Sequence, residues 1–495
     1  MSFGLERFKN FICLSVLILA NLTAKADLSL GPLYNRSALT LSEGWREEWL
    51  GPFFYRELSD TTYTIGIPPL LSYYHDSDID RRGFDFLYPL LGYREYGSEY
   101  RFNIFQIFSL SGGSSGEDGR AKRTTIFPIY FKQHSTNPEE NYTAIVPFYG
   151  TLKNRLFYEE VHFVMFPFYS QTKKKGAVTD NYLVPFFHVR RGLGLKGWQF
   201  FPLYGHETKT PFSFTNKYDE LEFSPGHEKS FALWPIYIES ITGIGSTNQI
   251  SQRIILPFFS YQESELRRSI TAPWPIGLTI TRDDEKKYNE FGFPWPFFVI
   301  ARGEGKNITR FWPLFGEASN PYKESDFYLW PLYKYNKLNT ETADSERVRI
   351  GFFLYSDSIS INKESGDASR RTSLWPLFHH NIDVDGKAKL ISPALLEPIF
   401  PSNKPIERNY SPLWGLCREE KNPKDGKYSK SLLWNLLRED KTKEKQKCSA
   451  LFGLIQVEKT QESTKIKLFH IPVSNKQTKS AKEKTLHKEQ QFTTE

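Results

Sequence analysis

Trp312-Pro313-Leu314-Phe315 and Trp330-Pro331-Leu332-Tyr333 are one four-residue phrase written twice. An aromatic or aliphatic residue comes first, then Pro, then a bulky apolar residue, then usually Tyr or Phe. Upstream the phrase reads Phe127-Pro128-Ile129-Tyr130, Val146-Pro147-Phe148-Tyr149, Phe166-Pro167-Phe168-Tyr169, Val184-Pro185-Phe186-Phe187 and Phe201-Pro202-Leu203-Tyr204. It continues through Trp234-Pro235, Leu256-Pro257, Trp274-Pro275 and Trp295-Pro296, and returns at Trp375-Pro376-Leu377-Phe378. Degenerate copies stand at Tyr88-Pro89-Leu90, Leu413-Trp414-Gly415-Leu416, Leu433-Trp434-Asn435-Leu436 and Leu451-Phe452-Gly453-Leu454. Successive prolines from Pro128 to Pro202 are 19, 20, 18 and 17 residues apart, and from Pro235 to Pro331 the intervals are 22, 18, 21, 17 and 18. Recurrence this even is the signature of a repeat architecture.

The composition of one repeat suggests its conformation. The phrases sit in runs rich in Val, Ile, Phe, Tyr, Trp and Thr. Between them lie polar segments such as Arg282-Asp283-Asp284-Glu285-Lys286-Lys287 and Asp383-Val384-Asp385-Gly386. Strand and turn therefore alternate. One strand of about 10–13 residues per repeat, with the proline inside it, predicts an all-β chain: a long antiparallel up-and-down meander of roughly twenty strands across residues 27–474. Variable spacing suits hairpins better than the fixed rungs of a solenoid. The longest interval between Pro128 and Pro331, 33 residues from Pro202 to Pro235, predicts an extended loop over Thr208 to Lys229. A second loop is expected over Ser111 to Gly119.

The ends differ from the repeats. Arg7 and Lys9 precede the apolar run from Phe11 to Ala20, and Ala24-Lys25-Ala26 supplies a small-x-small cleavage site, so residues 1–26 are expected to be an export signal. Residues 475–495, rich in Lys, Thr and Gln, are expected to be a disordered tail. Aromatic residues make up 16% of the 495, yet mean hydropathy is −0.49, which fits short aromatic strands rather than long apolar helices. The net charge of +7 is spread over many turns and forms no nucleic-acid stripe. Cys417 and Cys448 would remain after export, and their separation in sequence decides nothing about a disulfide.

A cleaved leader, no apolar helical span, many aromatic strands and polar turns resemble the outer-membrane β-barrel proteins. The likeness covers most of the mature chain and is architectural. The tandem phrases also look like those of large uncharacterised envelope proteins with "FPLY/WPLF" segments. The resemblance implies a closed β-barrel in the cell outer membrane with a structural or transport role, in contact with outer-membrane lipid. The alternative fold is a β-propeller or packed double sheet. It would serve a secreted or periplasmic protein recognising glycan or another envelope component. Three features oppose a barrel: a proline within most strands leaves acceptors unpaired in lipid, the phrase is apolar on both faces around Pro185, and the last expected strand, near Lys467 to Val473, is followed by the charged tail where such barrels commonly end in an aromatic residue.

Nothing in the sequence signals chemistry. No catalytic, cofactor-binding or metal residue is assigned, and no enzyme activity is expected. His379 and His380 would point to opposite faces of a strand. Asp76-Ser77-Asp78-Ile79-Asp80 starts like a calcium loop, but Arg81 and Leu87 stand where such a loop needs Gly and Glu. Glu159 and Glu160 would also face opposite ways. No HExxH or Cys/His pattern occurs.

Overall fold

The computed structural model describes residues 33–114, 120–215, 219–469 and 471–477. The expected leader, residues 1–26, and residues 478–495 of the expected tail lie outside the described residues. The final described strand, Ile471–Gln477, takes in the first three positions of that tail segment.

The proline phrase is where the chain turns, not where it extends. Strand Tyr158–Val164 ends before it and strand Tyr169–Lys174 begins at its last residue. Between them the Phe168 N–H donates to Met165 O (2.8 Å), which puts Pro167 at the third position of a tight turn, with a cis peptide before it. The same bond closes Ile129 to Ile126, Phe186 to Leu183, Leu203 to Phe200, Ile236 to Leu233, Leu314 to Phe311 and Leu332 to Leu329. A proline at this turn position removes no donor from a strand ladder, so the objection from unpaired acceptors disappears. It also corrects the count. Each repeat supplies two strands of four to eight residues instead of one long strand, and 43 of them form one antiparallel sheet rather than roughly twenty.

Strands pair with their neighbours in sequence. The extended loop expected at Thr208 to Lys229 is mostly structured: strands Tyr204–Lys209 and Gly226–Ala232 pair across it, and Phe212–Thr215 with Leu221–Ser224 forms a separate two-stranded hairpin. Of the loop expected at Ser111 to Gly119, Ser111 to Ser114 belong to strand Phe108–Ser114, and residues 115–119 lie outside the described residues. Among the described residues, Asn35–Ala38 bonds only to Gly44–Trp49, and Ile471–Gln477 only to Ser463–Leu468. The sheet is therefore not closed by hydrogen bonds as a barrel would be, and it is one ladder rather than separate blades.

Contacts divide the chain into two compact units, residues 89–372 and the pair of segments before 89 and after 372. In residues 89–372 the buried side chains share one face. Phe131, Ala144 and Phe163 lie on it with Leu152 and Val161, and farther along so do Val299, Ala301 and Ile308. Close packing on the buried faces uses an aromatic ring laid over a directly opposed glycine. Phe231 covers Gly205 and Phe327 covers Gly316, and in the other unit Tyr55 covers Gly66 and Tyr74 covers Gly83. A Cβ at Gly316 would stand 2.2 Å from the Phe327 ring.

The other unit buries charge. Two short helices, Lys404–Asn409 and Ser411–Trp414, interrupt its strands, the first capped by the Asn403 side chain accepting from the Ile406 N–H (3.2 Å). Arg408 reaches the fully buried Asp85 (3.2 Å), and the Tyr55 hydroxyl donates to Arg408 O (3.0 Å). Glu47, also fully buried, holds Arg56 at 2.7 Å and Arg36 at 3.5 Å. Glu48 accepts from Arg46 (2.8 Å) and from the Asn435 amide (2.5 Å), with Arg418 at 3.8 Å.

Candidate functional site

In an antiparallel meander every second turn lies at the same end of the sheet, so within residues 89–372 the proline turns gather on one rim. They are bonded to one another there. The Leu183 N–H donates to Phe168 O (2.7 Å) and the Val184 N–H to Pro167 O (2.8 Å). One turn earlier, the Met165 N–H donates to Phe148 O and the Phe166 N–H to Pro147 O. Leu233 to Leu203, Trp234 to Pro202, Trp312 to Phe297, Leu329 to Leu314 and Trp330 to Pro313 continue the pattern. The proline's own carbonyl is thus an acceptor for the next turn. In the other unit Leu433 to Leu416 and Phe469 to Leu454 make the corresponding bonds.

This rim is apolar and open to solvent. Phe148, Phe168, Phe186, Ile236, Phe258, Ile276 and Leu332 are all exposed. The residue two before the proline is unusual. Met165, Leu183, Leu233 and Leu329 have φ of 46°, 50°, 47° and 46°, the left-handed region where glycine is favoured, yet each carries a large side chain that is 53–56% exposed. Such a conformation costs a residue with a Cβ about 1–2 kcal/mol.

A second apolar feature flanks the rim on the sheet face opposite the buried one. Tyr149, Val164, Tyr169, Tyr182, Phe187, Phe200, Tyr204, Ala232, Tyr237, Ile255 and Phe259 each oppose the next directly across adjacent strands. Phe298, Phe311, Phe315, Tyr328, Tyr333, Ile350 and Tyr355 form another such run. Rings touch along it, as Tyr169 with Tyr182 (5.3 Å) and Phe298 with Phe311 (4.0 Å). Two residues farther from the rim the same face is mixed, with Thr151, His162, Gln171 and Glu239, and two farther again it is largely charged, with Lys153, Glu160, Lys173 and Arg191. Polarity therefore rises along the strand away from the proline turns. The opposite rim has exposed apolar residues too, Leu156, Phe157 and Leu193 among them, but in scattered turns.

The buried face is in part polar. Ser170, Thr279, Thr281, Asp283 and Gln133 are buried while Leu278, Ile280, Phe298 and Ile300 on the other face are exposed. Asp180 is the exception on the open face. Burial would raise its pKa, but hydrogen bonds from Gln171 (2.7 Å), Arg191 (2.6 Å) and Tyr169 (3.1 Å) hold it below the usual carboxylate range. For Glu48 burial also pushes upward, and Arg46, Arg418 and Arg438 outweigh it, so its pKa is depressed. Burial, reinforced by Glu47, pushes the Tyr34 hydroxyl up to about 12.

Two cavities add possible binding volume. One of about 390 Å³ is lined by Arg36, Lys427, Arg438, Lys441, Lys445 and Lys447 together with Glu43 and Asp440. Its charges are largely matched: Arg438 holds Asp440, Arg36 reaches Glu47, and Lys445 holds Glu458. The other, about 400 Å³, has Trp198 and Trp234 beside Gln199, His206 and Glu239.

The residues weighed for chemistry are not brought together. His379 is buried against the Ser373 hydroxyl (2.8 Å), and His380 lies on the other face of the same strand. Asp76 ends a strand and takes the Thr61 hydroxyl (3.0 Å), while Ser77 to Asp80 form a hairpin turn. Glu160 pairs with Lys173 (3.0 Å) and Glu159 accepts from the Lys175 N–H (2.9 Å). Cys417 and Cys448 are free thiols. Among the described residues no cluster of His, Cys, Asp and Glu could hold a metal ion. Sequence reasoning missed the rim because it placed the prolines inside strands. The signal was available in the bulky residue before each aromatic-Pro pair, but its left-handed backbone was not legible. No family model matches the chain, and no curated protein matches it in sequence.

Proposed function

We propose that this is a non-enzymatic cell-envelope protein with a structural or transport role, held at the outer membrane by seating its aromatic-proline rim in lipid. The observation that carries the reading is the row of Met165, Leu183, Leu233 and Leu329. Each keeps a large exposed apolar side chain at a backbone position where glycine would relieve strain. Water gives no reason for that choice; a hydrocarbon neighbour does. The Tyr- and Phe-rich row beside the rim has the chemistry of a lipid–water interface, where ring and hydroxyl are satisfied together. The charged zone farther up the strand would remain in water.

Depth favours seating over crossing. A strand through an outer membrane needs about 9–11 residues, and these have four to eight. The rim and its first flanking rows span about 10–15 Å at ~3.4 Å per residue, close to one leaflet of a ~30 Å hydrocarbon core. A closed membrane-spanning barrel is accordingly the less favoured form of the same proposal.

Flotation of the purified protein with phospholipid vesicles tests the reading. Association resistant to high salt is expected, since burial of apolar side chains drives it. Protein left entirely in the unbound fraction would refute it. A second reading, recognition of an envelope glycan, has the pocket at Trp198 and Trp234 in its favour, because rings next to polar side chains suit sugar faces.

A further inference from the structure

The apolar zone is not equally deep everywhere. Across strands Arg267–Ala272, Leu278–Asp283, Tyr288–Gly292 and Phe298–Gly303, the second row from the rim reads Ile270, Ile280, Phe291 and Ile300, each directly opposite the next. These four side chains are 40–52% exposed. Nowhere else among the described parts of residues 89–372 do four consecutive strands place apolar side chains in that row. One step farther from the rim stand Arg268, Arg282, Asn289 and Arg302. Arg268 and Arg282 oppose each other directly, a like-charge pair that disfavours the sheet unless an anion screens it. Their present partners are surface carboxylates, Glu263 for Arg268 and Asp284 (2.8 Å) for Arg282, and Arg302 holds the Ala301 and Ile308 carbonyls with the Thr309 hydroxyl. Exposed pairs of this kind are worth little and exchange readily.

We infer that residues 267–303 are the deepest lipid contact of the protein, and that Arg268 and Arg282 there bind the phosphates of anionic lipids. The inference rests on the membrane-seating reading and adds the segment and the headgroup class. The spacing suits it: isoleucines and Phe291 lie below, and guanidinium groups stand about 7 Å higher, one same-face step along a strand. Arginine's fork of donors matches a phosphate better than a single ammonium does. Continuity of this patch with the rim, together with the sign of its charge, selects a bilayer bearing phosphate headgroups as the occupant.

Flotation with vesicles of phosphatidylcholine, alone or mixed with phosphatidylglycerol, separates the claims. The unaltered protein should bind both and prefer the mixed vesicles. Arg268→Gln with Arg282→Gln should cut that preference roughly tenfold while leaving binding to phosphatidylcholine in place, and Arg268→Lys with Arg282→Lys should keep most of it. Ile280→Ser with Phe291→Ser should weaken binding to both vesicles, with the unfolding midpoint unchanged because these side chains are exposed. If the unaltered protein binds vesicles and both the glutamine and the serine variants behave like it, this inference fails and the broader seating reading survives. No binding by the unaltered protein would remove both.

Discussion

At Leu183, Leu233 and Leu329 the backbone is left-handed and the side chain is in solvent, so fold and surface make opposite demands on one residue. Replacing all three by Gly relieves strain and adds flexibility to the unfolded chain, two effects of about 1 kcal/mol each with opposite sign. We expect an unfolding midpoint in urea unchanged or slightly raised, with vesicle binding reduced severalfold; undiminished binding would show that these side chains serve the turn alone. At Gly316 the demand is space. Gly316→Ala drives a Cβ into the Phe327 ring and should cost about 1–3 kcal/mol, seen as a lower urea midpoint, and adding Phe327→Ala should recover part of the loss. At Glu48 the demand is charge. Its depressed pKa means that it stabilises the fold above the ordinary carboxyl value near ~4.3, and that this contribution vanishes as pH falls through the lower folded value. Glu48→Gln leaves Arg46 and Arg418 undercompensated, so a loss of about 3–5 kcal/mol is expected at neutral pH. An acid titration of stability should show the variant losing less than the native protein as Glu48 protonates.

At the scale of the element, the unit is a hairpin, and the proline turn is its fixed end. Bonds from Leu183 to Phe168 and from Val184 to Pro167 join consecutive proline turns, whereas the opposite turns vary freely in length and even admit the hairpin of Phe212–Thr215 and Leu221–Ser224. The period of 17 to 22 residues was legible because the fixed end repeats its residues. The strand count was not legible, because Trp-Pro-Leu-Tyr has strand-like composition and sequence alone does not separate a proline that ends a strand from one within it. The loop at Thr208 to Lys229 was misread for a related reason: Phe212 and Phe214 belong to strands too short to show alternation. A direct test is excision of residues 312–329. It joins Phe311 to Trp330, so that Tyr333 takes the place opposite Phe311 that Phe315 now holds. The shortened protein should keep its β circular dichroism and cooperative unfolding, while removal of residues 312–320, one strand with its turn, should abolish both by reversing every later strand.

Across the whole molecule, antiparallel β-structure and tandem repetition followed from composition, and the buried ion pairs did not. Glu48 and Asp85 look like ordinary surface acids in the sequence, because Arg418 and Asn435, which reach Glu48, and Arg408, which reaches Asp85, lie hundreds of residues away. Hydrogen exchange pulsed during refolding should register this difference in range. Amides in strands Leu278–Asp283 to Phe298–Gly303, bonded only to near neighbours, should gain protection before those of Gly44–Trp49 and Thr62–Ile67; simultaneous protection would argue against it.

The pairing of Glu48 with Asn435 also bears on how a ribosome delivers this chain. Strand Gly44–Trp49 emerges with Arg46 already beside Glu48, yet the Asn435 amide and Arg418 join that carboxylate only after several hundred further residues have been made. Until then Glu48 has Arg46 and water as its partners. That strand thus completes its side-chain bonding later than strands such as Leu278–Asp283, which pair with near neighbours.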